Sequence, residues 1–310
     1  INTVKAGEEV LVITQGYFGE RFVPLAKALG IVPDVLTAPA GERVPLAAIE
    51  TKLQQKKYAA LTLTHVDTST GVMGQVAEVA ALAKKYDTLF ILDGVCASAG
   101  VPEPMKDLGI DVIITTSQKA FGTPPGLTIV AFNEKALARR EQMGTVAGYY
   151  VDWKNWLPIM DNPSMYFSTP PVNLIQALAK AVQMILEEGL EARYARHERI
   201  ARSFRAGLKA IGLELITAPD AVAPTLSVIK YPEGLDDVAF RAKMEEYDIV
   251  VAGGVGPLKG KIFRVGHMGN ICINELVLTL YAVERALAAL GVTAPQGAAV
   301  GAAWAEWHKG

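Results

Sequence analysis

Up to about residue 135, short continuous apolar runs alternate with stretches whose apolar positions recur every three or four residues. The runs "EEVLVITQ" (Glu8 to Gln15), "YAALTLTHV" (Tyr58 to Val66), "TLFILDGV" (Thr88 to Val95), "DVIITTS" (Asp111 to Ser117) and "GLTIVAFN" (Gly126 to Asn133) predict strands. Between them, "GERFVPLAKALG" (Gly19 to Gly30) and "GQVAEVAALAKKYD" (Gly74 to Asp87) predict amphipathic helices, the first ending at Gly30 as a C-cap. Strands that are apolar on both faces and separated by helices predict an α/β fold, with a mostly parallel sheet covered on each side.

Beyond that point the pattern changes twice. From Gly144 to Asn173 the periodicity vanishes and Tyr, Trp, Pro and Asn crowd together, which predicts a long ordered excursion of functional or interface-forming kind. A long helical stretch then runs from Leu174 to about Gly212 with a break near Gly189. Short strands ("TLSVIKY", "KIFRVGHM") and a helix ("NELVLTLYAVERALAALG") follow, an α+β appendage. The Ala/Gly-rich segment from Val292 onward predicts a loosely held tail. The expected division is a large domain over residues 1–170, a smaller C-terminal domain over 171–292 with its connecting helix, and a tail over 293–310.

Composition narrows the function. With 310 residues and 51% hydrophobic content the chain can bury a large core. Its net charge of −2, with both signs interspersed, leaves no footprint for nucleic acid or an anionic membrane. No apolar run is long enough to span a bilayer. A mean hydropathy of +0.24 favours a buried oligomer interface. Cys96 and Cys272 lie far apart in sequence and read as free thiols of a reducing cytoplasm. His65, His197, His267 and His308 are scattered without metal-ligand spacing, so no metal is expected.

The candidate chemistry lies in "VIITTSQKAFGTPPGLTIV" (Val112 to Val130), where Lys119 sits between two apolar strands. A lysine there is either a rim residue that snorkels to water or a desolvated amine able to attack a carbonyl. Asp93 ends the apolar run "LFIL", and a carboxylate at such a place is costly without a cation. The two residues are 119 − 93 = 26 positions apart, one strand-helix-strand unit, so both project from the carboxyl-end rim where open α/β sheets bind ligands. A strand-end acid and an amine are the pair that pyridoxal phosphate requires: the acid keeps the pyridine nitrogen protonated and the amine holds the aldehyde.

The motifs "LTHVDTSTGV", "LDGVCASAGVP" and "SQKAFGTPPGL" together resemble the class V branch of fold-type-I pyridoxal phosphate aminotransferases, and within it the alanine–glyoxylate and serine–pyruvate (serine–glyoxylate) enzymes. The resemblance runs from about Glu8 to Val292. It implies that Lys119 forms the Schiff base with pyridoxal 5'-phosphate and shuttles the proton, and that Asp93 bonds the pyridine nitrogen. It further implies that Thr68 touches the ring and that Gln118 helps to hold the phosphate. Phe18 takes the place where relatives carry a stacking tryptophan, and Arg264, in "GKIFRVGHMG", takes the substrate carboxylate in a bidentate grip. Tyr166 and Thr169, in "MYFSTPPVN", would cross a homodimer interface to the other subunit's cofactor phosphate. On the residues alone, Thr68 could equally begin a strand-end turn, Arg264 could pair with a local carboxylate, and the aromatic segment could be a domain hinge.

The implied reaction passes the amino group of a small L-amino acid, alanine or serine, to a small 2-oxo acid, glyoxylate or pyruvate. Other class V reactions remain open: ureidoglycine–glyoxylate, phosphoserine or pyridoxamine–pyruvate transamination, and cysteine desulfuration or another lyase reaction using Cys96. So does a cofactor-free fragment that only dimerises. In relatives the Gly/Ser/Thr-rich phosphate loop lies roughly two dozen residues before the Phe18 position, and counting back runs past Ile1. The expectation is a piece of a longer protein, with "INTVKAGEEVLV" as the tail of the helix that the loop opens.

Overall fold

The computed structural model describes residues 1–309. In chain order the first strands are β1 (Glu9–Thr14), β2 (Val32–Thr37), β3 (Ala60–Thr64), the short β4 (Val66–Asp67) and β5 (Val72–Met73), then β6 (Leu89–Asp93), β7 (Val112–Thr116) and β8 (Thr128–Phe132). β4 and β5 form a separate antiparallel hairpin; the other six make one sheet in the order β2-β1-β3-β6-β7-β8. Every neighbouring pair in it is parallel except β7 with β8. That exception follows from the connection, since Ser117 to Leu127 holds no helix to carry the chain back across the sheet.

Alternation along the strands fills two cores. Leu11, Ile13, Leu61, Leu63, Phe90 and Leu92 pack under the helices Leu46–Gln55 and Val76–Lys85. Val10, Val12, Ala60 and Leu89 face the other way, toward the helix Phe22–Ala28. The fold is therefore α/β, a mostly parallel sheet covered on both faces. Strand β2 and the helix after it gave no clear signal, because Pro33 interrupts an edge strand whose residues stay half exposed.

The break at Gly189 is real: its φ of +83° ends one helix (Val172–Glu188) and lets the next (Leu190–Ala210) leave in a new direction. That second helix packs on an antiparallel sheet of β9 (Leu226–Lys230), β10 (Ala252–Gly253) and β11 (Ile262–Gly266), in the order β10-β11-β9. Phe204, Phe240, Phe263 and Leu280 form the centre of this second core. Among the described residues no helix is long and apolar enough to cross a membrane.

Three expectations are corrected. Residues 1–8 hold no helix; buried Asn2 instead donates to the Val151 carbonyl at 2.8 Å, pinning the start of the chain to the aromatic segment. That segment is not wholly aperiodic, since Trp153–Asp161 forms a helix capped by the Asp152 carboxylate, with Pro158 masking the pattern. The tail is not loose either. Residues Ala298–Trp307 form a helix in which Ala299 and Ala303 are fully buried against the Leu190–Ala210 helix. The Glu284 carboxylate caps it by accepting from Gly297 and Ala299 N–H at 2.9 and 2.6 Å, a partner no local pattern could announce.

Candidate active site

The carboxyl ends of β3, β6 and β7 lie side by side, with Thr64 in register with Asp93 and Asp93 with Ile114. Asp93 thus closes a central strand. Its Oδ2 accepts from Thr64 Oγ1 at 3.1 Å and its Oδ1 from the Val95 N–H at 3.0 Å. Burial pushes this carboxyl above the usual range against those two bonds, and the nearby Asp67 and Glu103 charges push the same way. Asp93 is an acid that wants a cation opposite it.

Lys119 lies three residues beyond β7, in a turn its own backbone closes. Gly122 N–H donates to the Lys119 carbonyl at 2.9 Å, and the Thr123 N–H and hydroxyl both reach the Ser117 carbonyl, at 3.1 and 2.9 Å. The Ser117 hydroxyl in turn donates to Pro124 O at 3.0 Å. The sequence Gly-Thr-Pro-Pro-Gly therefore fixes the lysine's backbone rather than merely linking two strands. Among the described residues the Lys119 amine has neither an ion pair nor a hydrogen-bond partner.

Cys96 marks where the predicted residues meet. Its thiol lies 2.8 Å from Thr68 Oγ1 and feels the charges of both Lys119 and Asp93. Burial pushes the Cys96 thiol up, so it stays protonated. Arg264, on β11 of the second sheet, reaches over to the same place. Its Nε donates to Gly253 O at 2.8 Å and its Nη1 to Thr68 O at 3.4 Å, and no carboxylate pairs with it among the described residues. Burial lowers its proton affinity and the Asp67 carboxylate opposes that fall. The alternative of a local ion pair is thereby removed.

Phe18 enters from the other side of the rim, after β1. The backbone N–H groups of Phe18 and Gly19 donate to Asp67 Oδ2 at 3.0 and 2.9 Å, while Tyr17 N–H donates to Ser69 Oγ at 2.9 Å. Gly16 is required there, because a Cβ on it would lie 2.5 Å from both Asp67 Oδ1 and Ser69 Oγ. Sequence reasoning missed Asp67 and Ser69, although "DTS" carries the local signal of a carboxylate bonding its own backbone two residues on; Ser69 N–H does so at 2.9 Å. It also missed buried His65, whose Nδ1 lies 2.7 Å from Glu103 Oε1 behind Asp93.

The remaining predicted residues are not gathered in. Gln118 is exposed beside Lys119, its side chain without a partner among the described residues. Tyr166 and Thr169 are exposed on the segment before the Val172–Glu188 helix and share no hydrogen bond with the others. What does converge is an unpartnered amine, a half-buried acid and an unpaired guanidinium fork. That donor set fits a pyridine aldehyde carrying an amino acid: an amine for its aldehyde, an acid for its ring nitrogen, a fork for the carboxylate.

Fold and site together define a Schiff-base enzyme of amino-group chemistry, and comparison with known proteins makes the class particular. The sequence profile of the aminotransferase class-V family matches residues 1–257. An uncharacterized aminotransferase of Methanocaldococcus jannaschii is 40% identical over 292 residues, 94% of this chain and 76% of its own. Alanine–glyoxylate aminotransferase 1 of Saccharomyces cerevisiae is 34% identical over 86% of this chain and 72% of its own length. The crystal structure of ureidoglycine–glyoxylate aminotransferase from Bacillus subtilis superposes with a TM-score of 0.96 at 25% identity, over 99% of this chain and 80% of that one. The chain belongs to the class-V aminotransferase family, and its cofactor is pyridoxal 5'-phosphate.

Proposed function

We propose that the chain moves the amino group of a small L-amino acid, alanine or serine, to glyoxylate or pyruvate. The observation that carries the reading is the convergence of the unpartnered Lys119 amine, the Asp93 acid and the unpaired Arg264 fork around Cys96 and Thr68. Glyoxylate is favoured as acceptor, since the named relatives from yeast and B. subtilis share it while their amino donors differ. When bound, pyridoxal phosphate supplies the sink for the electron pair left as the donor's Cα–H bond breaks. Lys119 would hold the aldehyde, and its amine would move the proton at the donor's Cα. Asp93 would hold the proton on the ring nitrogen, Thr68 and Phe18 would bound the ring, Gln118 would reach the phosphate, and Arg264 would orient the substrate carboxylate.

The desulfurase alternative needs a mobile, ionisable thiol. Cys96 is 3% exposed, bonded to Thr68 and held protonated by burial, which favours transamination.

We also propose a homodimer. Tyr149, Met160, Met165, Tyr166, Val172 and Ile175 leave a contiguous stretch of chain unusually apolar and exposed, from 45% to 71%. Covering it with a second copy would bring Tyr166 and Thr169 toward the other subunit's phosphate. In this reading residues 1–170 bind the cofactor, 171–292 close over the substrate, and 293–310 brace the second core. Free Cys96 and Cys272 suit a cytoplasmic setting.

The test is chemical. Protein incubated with pyridoxal phosphate and treated with borohydride should carry the reduced cofactor on Lys119, found by peptide mapping; L-alanine plus glyoxylate should yield glycine and pyruvate. A folded, cofactor-loaded protein that forms no glycine from glyoxylate with either alanine or serine would sink the proposal.

A further inference from the structure

Two arginines, Arg140 and Arg193, are fully buried outside the group just described, and the second of them reaches back to it. Arg193, on the Leu190–Ala210 helix, is 1% exposed. Its Nε donates to the Ala99 carbonyl at 2.7 Å and its Nη2 to the Ala120 carbonyl at 2.6 Å. Nη1 meets Glu188 Oε2 at 2.8 Å and Asn270 Oδ1 at 3.4 Å. A buried guanidinium is costly, and its acceptors reveal what it serves. Ala120 follows Lys119 directly. Ala99 belongs to the coil of turns that starts at Asp93 and holds a left-handed φ of +65°, which an alanine adopts only under constraint. Asn270 sits in the loop after β11, the strand of Arg264.

The neighbouring side chains tighten the same junction. Arg196 donates to Gly269 O at 3.0 Å and Ile271 O at 2.9 Å, and Gly269 N–H donates to His197 Nε2 at 2.9 Å. A Cβ on Gly269 would come within 3.7 Å of the Ala120 carbonyl, so this loop lies against the Lys119 turn. Glu188 is shared with Arg196, so that half-buried carboxylate keeps a cation without Arg193. The planar fork, by contrast, is the one side chain among the described residues that hydrogen-bonds both turns and the second sheet's loop.

We propose that Arg193 is a positioning residue for transamination, whose fork ties the backbone beside Lys119 and the turns after Asp93 to the loop at Asn270. One side chain thereby sets how far the amine stands from the acid, and holds both in step with the strand that carries Arg264. The inference rests on the roles given above to Lys119, Asp93 and Arg264.

The experiment uses the cofactor-loaded protein with Arg193→Lys and Arg193→Met. A displacement of about 1 Å at reacting groups costs on the order of 100-fold in rate. Arg193→Met should therefore lower kcat about 10- to 100-fold while leaving KM for the amino donor within about threefold, because Arg264 is untouched. The pH midpoint at which the bound cofactor's absorbance changes should move as well, and Arg193→Lys should fall between, since an ammonium keeps the charge without the fork. A purely structural role predicts fewer folded molecules with a normal midpoint. Both variants showing the wild-type kcat and midpoint would overturn the proposal. So would both failing to fold, since the guanidinium would then be serving the core and not the site; should only the methionine variant fail, the lysine variant decides. Borohydride labelling of Lys119 in wild type reports on the functional reading alone, and the difference between wild type and variants on Arg193 alone.

Discussion

Asp67 offers the strictest test of how the rim is built. It is 0% exposed and, among the described residues, has no cationic partner in reach of a salt bridge; four donors satisfy it instead. Phe18 and Gly19 N–H lie at 3.0 and 2.9 Å from Oδ2, and Ser69 N–H and Oγ at 2.9 and 2.5 Å from Oδ1. Asp67→Asn keeps the size but leaves one oxygen for two pairs of donors. With its NH2 at the Oδ2 position the amide faces the Phe18 and Gly19 N–H, which can only donate; turned the other way it faces the Ser69 N–H, and only the Ser69 hydroxyl can turn to accept. At least one bond to a charged acceptor is lost, about 1.5–3 kcal/mol, and part returns because a buried charge no longer needs solvating by the protein. The net expectation is a loss of about 1–3 kcal/mol. Ser69→Ala removes the hydroxyl to Asp67 and to Tyr17 N–H but leaves the carboxylate, so about 1–2 kcal/mol. Urea unfolding with and without pyridoxal phosphate measures both, the cofactor arm reporting whether freeing the Tyr17–Gly19 turn also loosens Phe18. A drop under about 1 kcal/mol for Asp67→Asn would refute the counting of bonds. A full drop with unchanged cofactor affinity would refute the link from this carboxylate to the site.

Arg264→Lys should cut kcat/KM for amino acids about 10- to 100-fold through KM, leaving the bound cofactor's spectrum unchanged; a change under threefold removes Arg264 from substrate recognition. Gly207→Val should lower stability by about 1–3 kcal/mol, because a Cβ there falls 2.6 Å from Leu280 Cδ1 and 2.8 Å from the immovable Ala299 carbonyl; an unchanged Tm counts against the close packing of the C-terminal helix. Burial holds His197 down at about 4 and His267 at about 3, each with Nδ1–H donating to a carbonyl, so the fold keeps both neutral. The unfolded chain takes up those protons from about pH 6.5 downward while the folded chain does not, so stability falls as pH drops from about 6.5 toward 4. Urea midpoints across that window should lose about one proton's worth of slope in His197→Asn, and an identical slope would show that His197 does not titrate on unfolding.

Lys119, Asp93 and Arg264 stand out in the sequence because each is a charge placed against an apolar pattern, an expense that needs a reason, and the roles proposed for them start from that signal. The turn after Lys119 was legible for a similar cause, since Pro-Pro-Gly restricts the backbone whatever surrounds it. Asp67, Glu103, Arg193 and Glu284 were not. Each is a buried charge whose partners are backbone groups or side chains far along the chain, such as Arg193 with Ala99 and Ala120 or Glu284 with Gly297. Only the folded chain brings those donors and acceptors together, so no window of sequence contains the signal, except for the Asp67–Ser69 half of one set, which lies within "DTS". The C-terminal helix fails for the complementary reason: Ala299 and Ala303 look weakly apolar alone, and become core only because Gly207 lets the two backbones close.

The hidden charges share a task. Asp67 ties the turn of Phe18 to that of Thr68, and Glu103 holds His65 and Ser98 on either side of Asp93. Arg193 does the same for the turns of Lys119 and Asp93. In each case a buried ion bonds loops at the sheet's carboxyl edge, where strand pairing has ended and the backbone has no ladder left to satisfy it. Apolar packing could bury those loops but could not orient them, because it has no direction. Reactive side chains on loops need direction within fractions of an ångström, and hydrogen bonds to ions supply it at the cost of desolvation. It follows that neutral, shape-matched replacements of Asp67, Glu103 or Arg193 should injure turnover more than their effect on stability alone accounts for, whereas Glu284, which caps a helix remote from Lys119, should affect stability only.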